Sequence, residues 1–389
     1  MNKGKLKIAI VTGSRAEYGL FKPLLQLIKK DRTLQLQLLV TGMHLSPEFG
    51  LTYQQIEHDG FQIDEKVEML LSADTDSGVV KSTAIGMMGM ADAIQRLQPD
   101  WVVLLGDRFE TFAAAFAAHQ AKIPVAHLHG GELTEGATDD AMRHAITKMS
   151  YLHFASTEIY RRRIIQLGES PNRVFNVGAI GLDSIRTVKL LSRKELEKQL
   201  NLSFAKLNFL VTFHPVTLEK QTAAQQVEQL LRALDRFKEA GIIITMPNAD
   251  AEGRIIMRLL EEYSNQNPDR VKLFTSLGQL RYLSVLQQVQ LVIGNSSSGI
   301  IEVPEMHIPT INIGNRQEGR VRAKTVIDCG TSSSNIIKAI TKSLSAGFQA
   351  QCKKASNPYS KPGTAPAVLN QLKKYGRLSS VKKKFYDLK

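Results

Sequence analysis

With 389 residues the chain exceeds a single hydrophobic core, so two domains are expected. At 43% hydrophobic and 22% charged residues it reads as a soluble globular protein, and no apolar run approaches the about 20 residues that span a bilayer. Cys329 and Cys352 are its only cysteines, which excludes a disulfide framework and a CxxC metal site, and its net charge of +13 leaves three readings open. One is nucleic-acid binding, but only Lys382-Lys383-Lys384 cluster, without an aromatic-rich basic module, so no nucleic-acid partner is expected. The others are a solvated basic surface and attraction of an acidic small molecule such as a nucleotide diphosphate.

The first apolar stretch, Leu6–Val11, is interrupted by Lys7 and runs into Gly13-Ser14-Arg15, so it reads as a first strand and not a signal peptide. A cytoplasmic protein with no membrane partner is expected. Further strand candidates are Leu34–Thr41, Trp101–Leu105, Ile123–Leu128, Leu152–Ala155 and Val174–Val177. A second series comprises Phe209–Phe213, Ile242–Met246, Val271–Phe274, Leu291–Ile293, Thr310–Ile313 and Thr325–Ile327. Helix-length segments alternate with them, among them Gly19–Lys30, Phe109–Ala121, Asp140–Met149, Ala223–Ala240 and Ala251–Gln266. Strand–helix alternation argues for parallel sheets wrapped by helices. Two series of strands predict an α/β protein of two Rossmann-like, doubly wound domains, with an eight-fold barrel as the structural alternative. The turn Gly178-Ala179-Ile180-Gly181 suggests domains over 1–181 and 182–365. A last helix and basic tail, 366–389, then packs back on the first domain.

In open α/β sheets ligands bind beyond the carboxyl ends of the strands, and polar clusters recur there in this chain. Thr12-Gly13-Ser14-Arg15 follows the first strand, with Arg15 suited to phosphate. It matches neither GxGxxG nor a P-loop. Gly106-Asp107-Arg108 places a carboxylate at a strand end, where a helix N-cap is the plain alternative. His127-Leu128-His129-Gly130-Gly131-Glu132 is followed by Asp139-Asp140-Ala141-Met142-Arg143. Histidines at i and i+2 of a strand share a face, so a metal site must be weighed, but no HExxH follows and metal-free acid–base groups are preferred. Asp139 opens a helix and Arg143 lies one turn on, which a capping ion pair would also explain. His214 ends the second domain's first strand. Gly294-Asn295-Ser296-Ser297-Ser298-Gly299 leads into a helix start, a candidate diphosphate cradle, with Glu302 about one turn inside to accept from a ribose diol. Arg316 and Arg320 follow the strand Thr310–Ile313.

Taken in order, TGSRAEYG (12–19), TGMH (41–44), LGDRFE (105–110), HLHGGE (127–132), DDAMRHAITKMS (139–150), FHP (213–215), GNSSSG (294–299) and INIGNRQEGR (311–320) resemble the hydrolysing UDP-N-acetylglucosamine 2-epimerases of bacterial sialic-acid pathways. The resemblance covers most of the chain. It implies a double-Rossmann, glycosyltransferase-B-like fold with a UDP-sugar between the domains, no cofactor, no metal, and a homodimer or homotetramer. It also implies Asp107, Glu132 and Asp139 as acid–base carboxylates, with His129 and His214 in the catalytic set. Arg15, His44, Arg108, Arg143, Asn248, Ser296, Ser297, Glu302 and Arg316 are implied as substrate-binding. Several relatives carry glutamate where His129 stands, so either Glu132 or His129 takes that role.

Inverting C2 of a sugar needs transient oxidation or elimination and re-addition. Without a dinucleotide fingerprint, elimination is favoured: UDP leaves C1, C2 loses its proton, and the resulting 2-acetamidoglucal is hydrated at C1 and protonated at C2 from the other face. The products are UDP and N-acetylmannosamine. The same reaction on UDP-N,N'-diacetylbacillosamine, a GDP-linked substrate, a double-Rossmann glycosyltransferase and a two-domain solute-binding protein are the other readings.

Overall fold

A computed structural model describes residues 4–72, 75–134, 138–216, 222–247 and 253–388. Two compact units emerge: Met1–Glu132 with Asp139–Arg186 and Lys361–Lys389, and Leu133–Thr138 with Thr187–Ser360.

The first unit holds β1 (Leu6–Thr12), β2 (Leu34–Thr41), β3 (Glu65–Val67), β4 (Trp101–Leu105), β5 (Val125–Leu128), β6 (Leu152–Ala155) and β7 (Val174–Asn176). They form one parallel sheet in the order β3-β2-β1-β4-β5-β6-β7. Its central strand β4 is apolar and buried along its whole length because both faces are covered. Ile8 and Ile10 enter one core with Phe21, Leu24 and Leu25, while Ala9 and Val11 enter another with Ala114 and Ala117. The last helix, Thr364–Tyr375, adds Val368, Leu369 and Leu372 to the first of these cores.

Several features depart from the sequence reading. The short edge strand β3, Glu-Lys-Val, buries only Val67 and offers no apolar run to detect. The longest helix, Asp76–Leu97, carries Gly78, Gly86 and Gly89 and shows no clean amphipathic stripe. A Cβ at Gly86 would lie 2.6 Å from Met69 and one at Gly89 2.6 Å from Val67, so these glycines let the helix close onto β3. The expected helix to Ala240 stops at Leu234, and Ala240 instead opens a strand. The break after Gly181 falls inside the helix Gly181–Thr187. Asp183 on that helix accepts from the main-chain N–H groups of Thr364 and Ala365 at 3.2 and 2.7 Å, which ties both segments to the first unit.

The second unit holds β8 (Leu207–Thr212), β9 (Ala240–Thr245), β10 (Val271–Phe274), β11 (Leu291–Gly294), β12 (Thr310–Ile313) and β13 (Val326–Cys329). Its parallel sheet runs β10-β9-β8-β11-β12-β13. Strand order reverses direction between β1 and β4 in the first sheet and between β8 and β11 in the second. Chain crossovers diverge there and leave a crevice at the carboxyl ends of the strands. No helix among the described residues is long and apolar enough to cross a membrane.

Candidate active site

The carboxylates expected from sequence follow β4 and β5, beside the switch point of the first sheet. Asp107 follows β4 and is ion-paired with Arg143, whose side chain is only 1% exposed. Arg143 also donates to Asp140 Oδ1 at 3.1 Å and to the carbonyl of Glu132 at 2.8 Å. A guanidinium committed to three acceptors inside the protein orients Asp107; as a substrate ligand, the role the resemblance implies, it presents almost no surface. Asp139 is the first residue of the helix Asp139–Met149.

His127 and His129 do not share a face. β5 ends at Leu128, and His129 takes a left-handed conformation with φ 63°. The His127 ring is buried, donates from Nε2 to the Gly106 carbonyl at 2.7 Å and meets Thr147 Oγ1 at 3.3 Å. Burial pushes its imidazole down to about 3, so it is neutral. The His129 ring turns instead to Glu132, with Nδ1 3.0 Å from Oε1. Its Nε2 accepts the main-chain N–H of Ile180 at 3.4 Å, which leaves Nδ1 to carry the proton and donate it to the carboxylate. Glu132, with a side chain 2% exposed, also accepts from Ser156 Oγ at 2.6 Å.

Around the β1 turn, Ser14 caps the helix Arg15–Lys30, which starts at Arg15 and not at Gly19. Glu17 accepts from Gly13 N–H at 2.6 Å, and burial, with Glu110 nearby, pushes its carboxyl up to about 8. Arg108 donates from Nε to the buried Glu110 at 3.2 Å. His44 is fully buried; its ring meets Thr12 Oγ1 at 3.2 Å and Thr52 Oγ1 at 2.8 Å, and burial holds it down to about 4. It therefore braces the β1 turn and has no surface on which to bind substrate.

The second switch point is made mostly of main chain and neutral side chains. Gly294 has φ 142°, and a Cβ there would fall 1.8 Å from the Thr212 carbonyl oxygen. Only glycine allows this approach of β11 to the end of β8. His214 is buried, and its main chain is held by the Asn295 side chain. Ser296 and Ser297 are partly exposed, and Ser298 Oγ lies 2.6 Å from the Tyr282 hydroxyl. The helix after them spans only Ser298–Ile301 before Glu302 passes into a 3-10 turn, so the expected diphosphate cradle would rest on hydroxyls and local amides and gain little from a macrodipole. Glu302 is nearly buried close to Tyr282, whose hydroxyl is pushed up by burial and, to a lesser degree, by this carboxylate. Arg316 donates to the Asn295 carbonyl at 3.2 Å. Asn248 lies outside the described residues.

Sequence reasoning missed Ser156, Asn295 and Gln317 as individual positions. Ser156 follows β6, the neighbour of β5, so a rule that inspects every hydroxyl just past a strand end would have found it.

Comparison with known proteins shows the family and the fold. The model of the family described as UDP-N-acetylglucosamine 2-epimerase matches residues 26–373. A Campylobacter jejuni GDP/UDP-N,N'-diacetylbacillosamine 2-epimerase (hydrolyzing) is 45% identical over 83% of this chain and 84% of its own length. The Escherichia coli polysialic acid biosynthesis protein P7 is 38% identical over 98% of this chain and 97% of its own. A Neisseria meningitidis UDP-N-acetylglucosamine 2-epimerase is 32% identical over 88% of each chain. In fold, the chain is similar to the crystal structure of a UDP-GlcNAc 2-epimerase from Neisseria meningitidis bound to UDP-GlcNAc. The TM-score is 0.79 at 20% identity, covering 95% of this chain and 100% of that one.

Proposed function

The chain belongs to the UDP-N-acetylglucosamine 2-epimerase family, and from that premise we propose that it carries out a hydrolysing 2-epimerisation of a UDP-linked 2-acetamido sugar. Water is consumed; UDP and the free sugar inverted at C2 are released. The observation that carries this reading is the pair of oriented carboxylates at one strand-end crevice, Asp107 on Arg143 and Glu132 between His129 and Ser156.

The C1–O bond breaks first, its electron pair leaving with UDP, because C2–H has no adjacent carbonyl to acidify it. Arg15, Arg316, His214, Ser296 and Ser297 stabilise the departing diphosphate, and Glu302 accepts from the nucleoside. A carboxylate then takes the C2 proton, giving the glycal. Water adds its hydroxyl to C1 and gives its proton to a carboxylate, while a second carboxyl delivers a proton to the opposite face of C2. Asp107, Glu132 and Asp139 are the proton carriers. His129 acts through Glu132, since one ring nitrogen is taken by Ile180 and the other faces the carboxylate.

We take UDP-N,N'-diacetylbacillosamine as the first substrate to test, supported by the 45% identity to the Campylobacter jejuni protein. UDP-N-acetylglucosamine is the second reading, on the 32% identity to the Neisseria meningitidis enzyme. The test is incubation with each UDP-sugar in deuterium oxide, with the products read by NMR. Released sugar inverted at C2 and carrying deuterium there is expected. Inverted sugar with only protium at C2 would end the elimination mechanism, and retention of the sugar on UDP would end the hydrolysing one.

A further inference from the structure

Asn295 has no part in the chemistry just described, yet it sits at the switch point of the second sheet and is 0% exposed. The ladder between β8 and β11 runs to Thr212 and Gly294, and Asn295 N–H then donates to the Thr212 carbonyl at 3.2 Å. Beyond that point the asparagine side chain continues the ladder. Its Oδ1 accepts the main-chain N–H of His214 at 2.7 Å, and its Nδ2 donates to the His214 carbonyl at 2.8 Å. The carboxamide thus stands in for a peptide unit, with donor and acceptor in one plane. Aspartate lacks the donor, serine has one polar atom, and glutamine is a methylene too long.

The main chain of the same residue reaches the other way. The Asn295 carbonyl accepts Arg316 Nη1 at 3.2 Å and Gln317 Nε2 at 2.8 Å, both from the loop after β12. Gln317 is also 0% exposed. One residue therefore fixes the backbone that carries the His214 imidazole and offers an anchor to the Arg316 guanidinium. Burying an amide is costly unless its donors and acceptors are satisfied, and here the bonds go to the two loops that carry these groups.

We propose that Asn295, locked by Gln317, is a positioning residue that sets His214 and Arg316 for the diphosphate of the nucleotide. The inference rests on the second unit's role in holding the nucleotide, as proposed above. It adds that this role depends on a residue that touches no ligand.

Calorimetry with UDP on the full-length protein tests it. Wild-type protein is measured first; failure to bind UDP would overturn the nucleotide-site reading itself, and the positioning role with it. Asn295→Ala should weaken UDP binding by about 10- to 100-fold, the equivalent of about one hydrogen bond to a charged ligand. Gln317→Ala, a milder change that leaves the His214 brace in place, should weaken it by roughly 2- to 10-fold. The decisive reading is the cycle with His214→Ala and Arg316→Ala. In that double-variant background Asn295→Ala should cost less than about threefold, because nothing remains for it to position. An Asn295 effect that multiplies in full there would mark a general structural role and overturn the proposal. Wild-type affinity in Asn295→Ala would do the same. Should Asn295→Ala not fold, unchanged affinity in Gln317→Ala would overturn it.

Discussion

The two switch points are built from different materials. At the ends of β4 and β5, beside the first of them, ionisable side chains hold carboxylates: Arg143 on Asp107 and Asp140, the His129 Nδ1–H on Glu132, Arg108 on Glu110. At the end of β8 and β11 the fixing is done by neutral groups, the Asn295 and Gln317 amides, the serine hydroxyls and a glycine that lets two backbones meet. On the proposed function, the difference follows from what each would have to hold. A group that moves a proton must itself be ionisable, and a buried carboxylate stays put only against donors or a counter-charge. A group that receives a diphosphate must offer donors without a competing anion beside it.

The largest effect expected from this contrast is at Asp107. Asp107→Asn keeps shape and leaves Arg143 its bonds to Asp140 and the Glu132 carbonyl, so the fold should survive. The turnover rate should fall about 10²–10⁴-fold, the usual contribution of an acid–base group, while UDP affinity changes little. A comparable loss of UDP affinity would erase the division of labour between the two strand-end sets.

Next in size is an acid response confined to the first unit. His44, His127 and His153 are buried there and held down to about 4, 3 and 4, mainly by desolvation. Unfolding returns each to an ordinary value near 6.5. Between about 4 and 6.5 the unfolded chain binds protons that the folded chain refuses, so stability falls as pH drops through this window. Glu17 works in the opposite sense. Held up to about 8 when folded, it favours folding below about 4.5 and loses that contribution as pH rises through 8. Three histidines outweigh one carboxyl, and the net slope is loss of stability in acid. The single tryptophan, Trp101, is buried in β4 and reports this unit. Its fluorescence should change between pH 6 and about 4.5, with amide exchange in β1 and β4 accelerating before that in β8 and β9. Simultaneous exchange in both sheets would show that the acid sensitivity is not local.

On the nucleotide side, Glu302→Ala and Ser297→Ala should each weaken UDP binding by about 1–3 kcal/mol with the fold intact. Unchanged UDP affinity in both would remove the cradle from the second switch point.

The same contrasts explain which parts of the molecule are legible in the sequence. Apolar runs bounded by turn residues betray buried parallel strands, which is why β4, β6 and β12 can be read to the residue. The three-residue edge strand β3 cannot, because partly exposed Glu65 and exposed Lys66 leave no apolar signature. Asp107 and Glu132 stand out as acids just beyond strands. Their supports do not: Ser156 is 24 positions from Glu132 and Asn295 is 81 from His214, so only the sheet order brings them together. His129 misleads for a local reason. A strand reading points it to the same side as His127, and the left-handed turn at that residue, rare outside glycine, sends it to Glu132.

The smallest effect sharpens the charged half of the comparison. Glu132 has two neighbours that orient it, the His129 ring and the Ser156 hydroxyl, and they differ in kind. If Glu132 carries a proton, its own loss removes the function, and Glu132→Gln should fall into the range of Asp107→Asn. His129→Ala removes a ring and its bonds to Glu132 and Ile180, so it should be intermediate. Ser156→Ala removes one hydroxyl that donates to a carboxylate, an interaction worth about 1.5–3 kcal/mol at most, and His129 still holds the same oxygen. The turnover rate should then drop only about threefold to thirtyfold, with KM for the UDP-sugar nearly unchanged. Measuring all three variants side by side tests the order. A Ser156→Ala enzyme as damaged as Glu132→Gln would move the proton-carrying role away from the carboxylate. A severe His129→Ala beside a mild Glu132→Gln would give that role to the histidine.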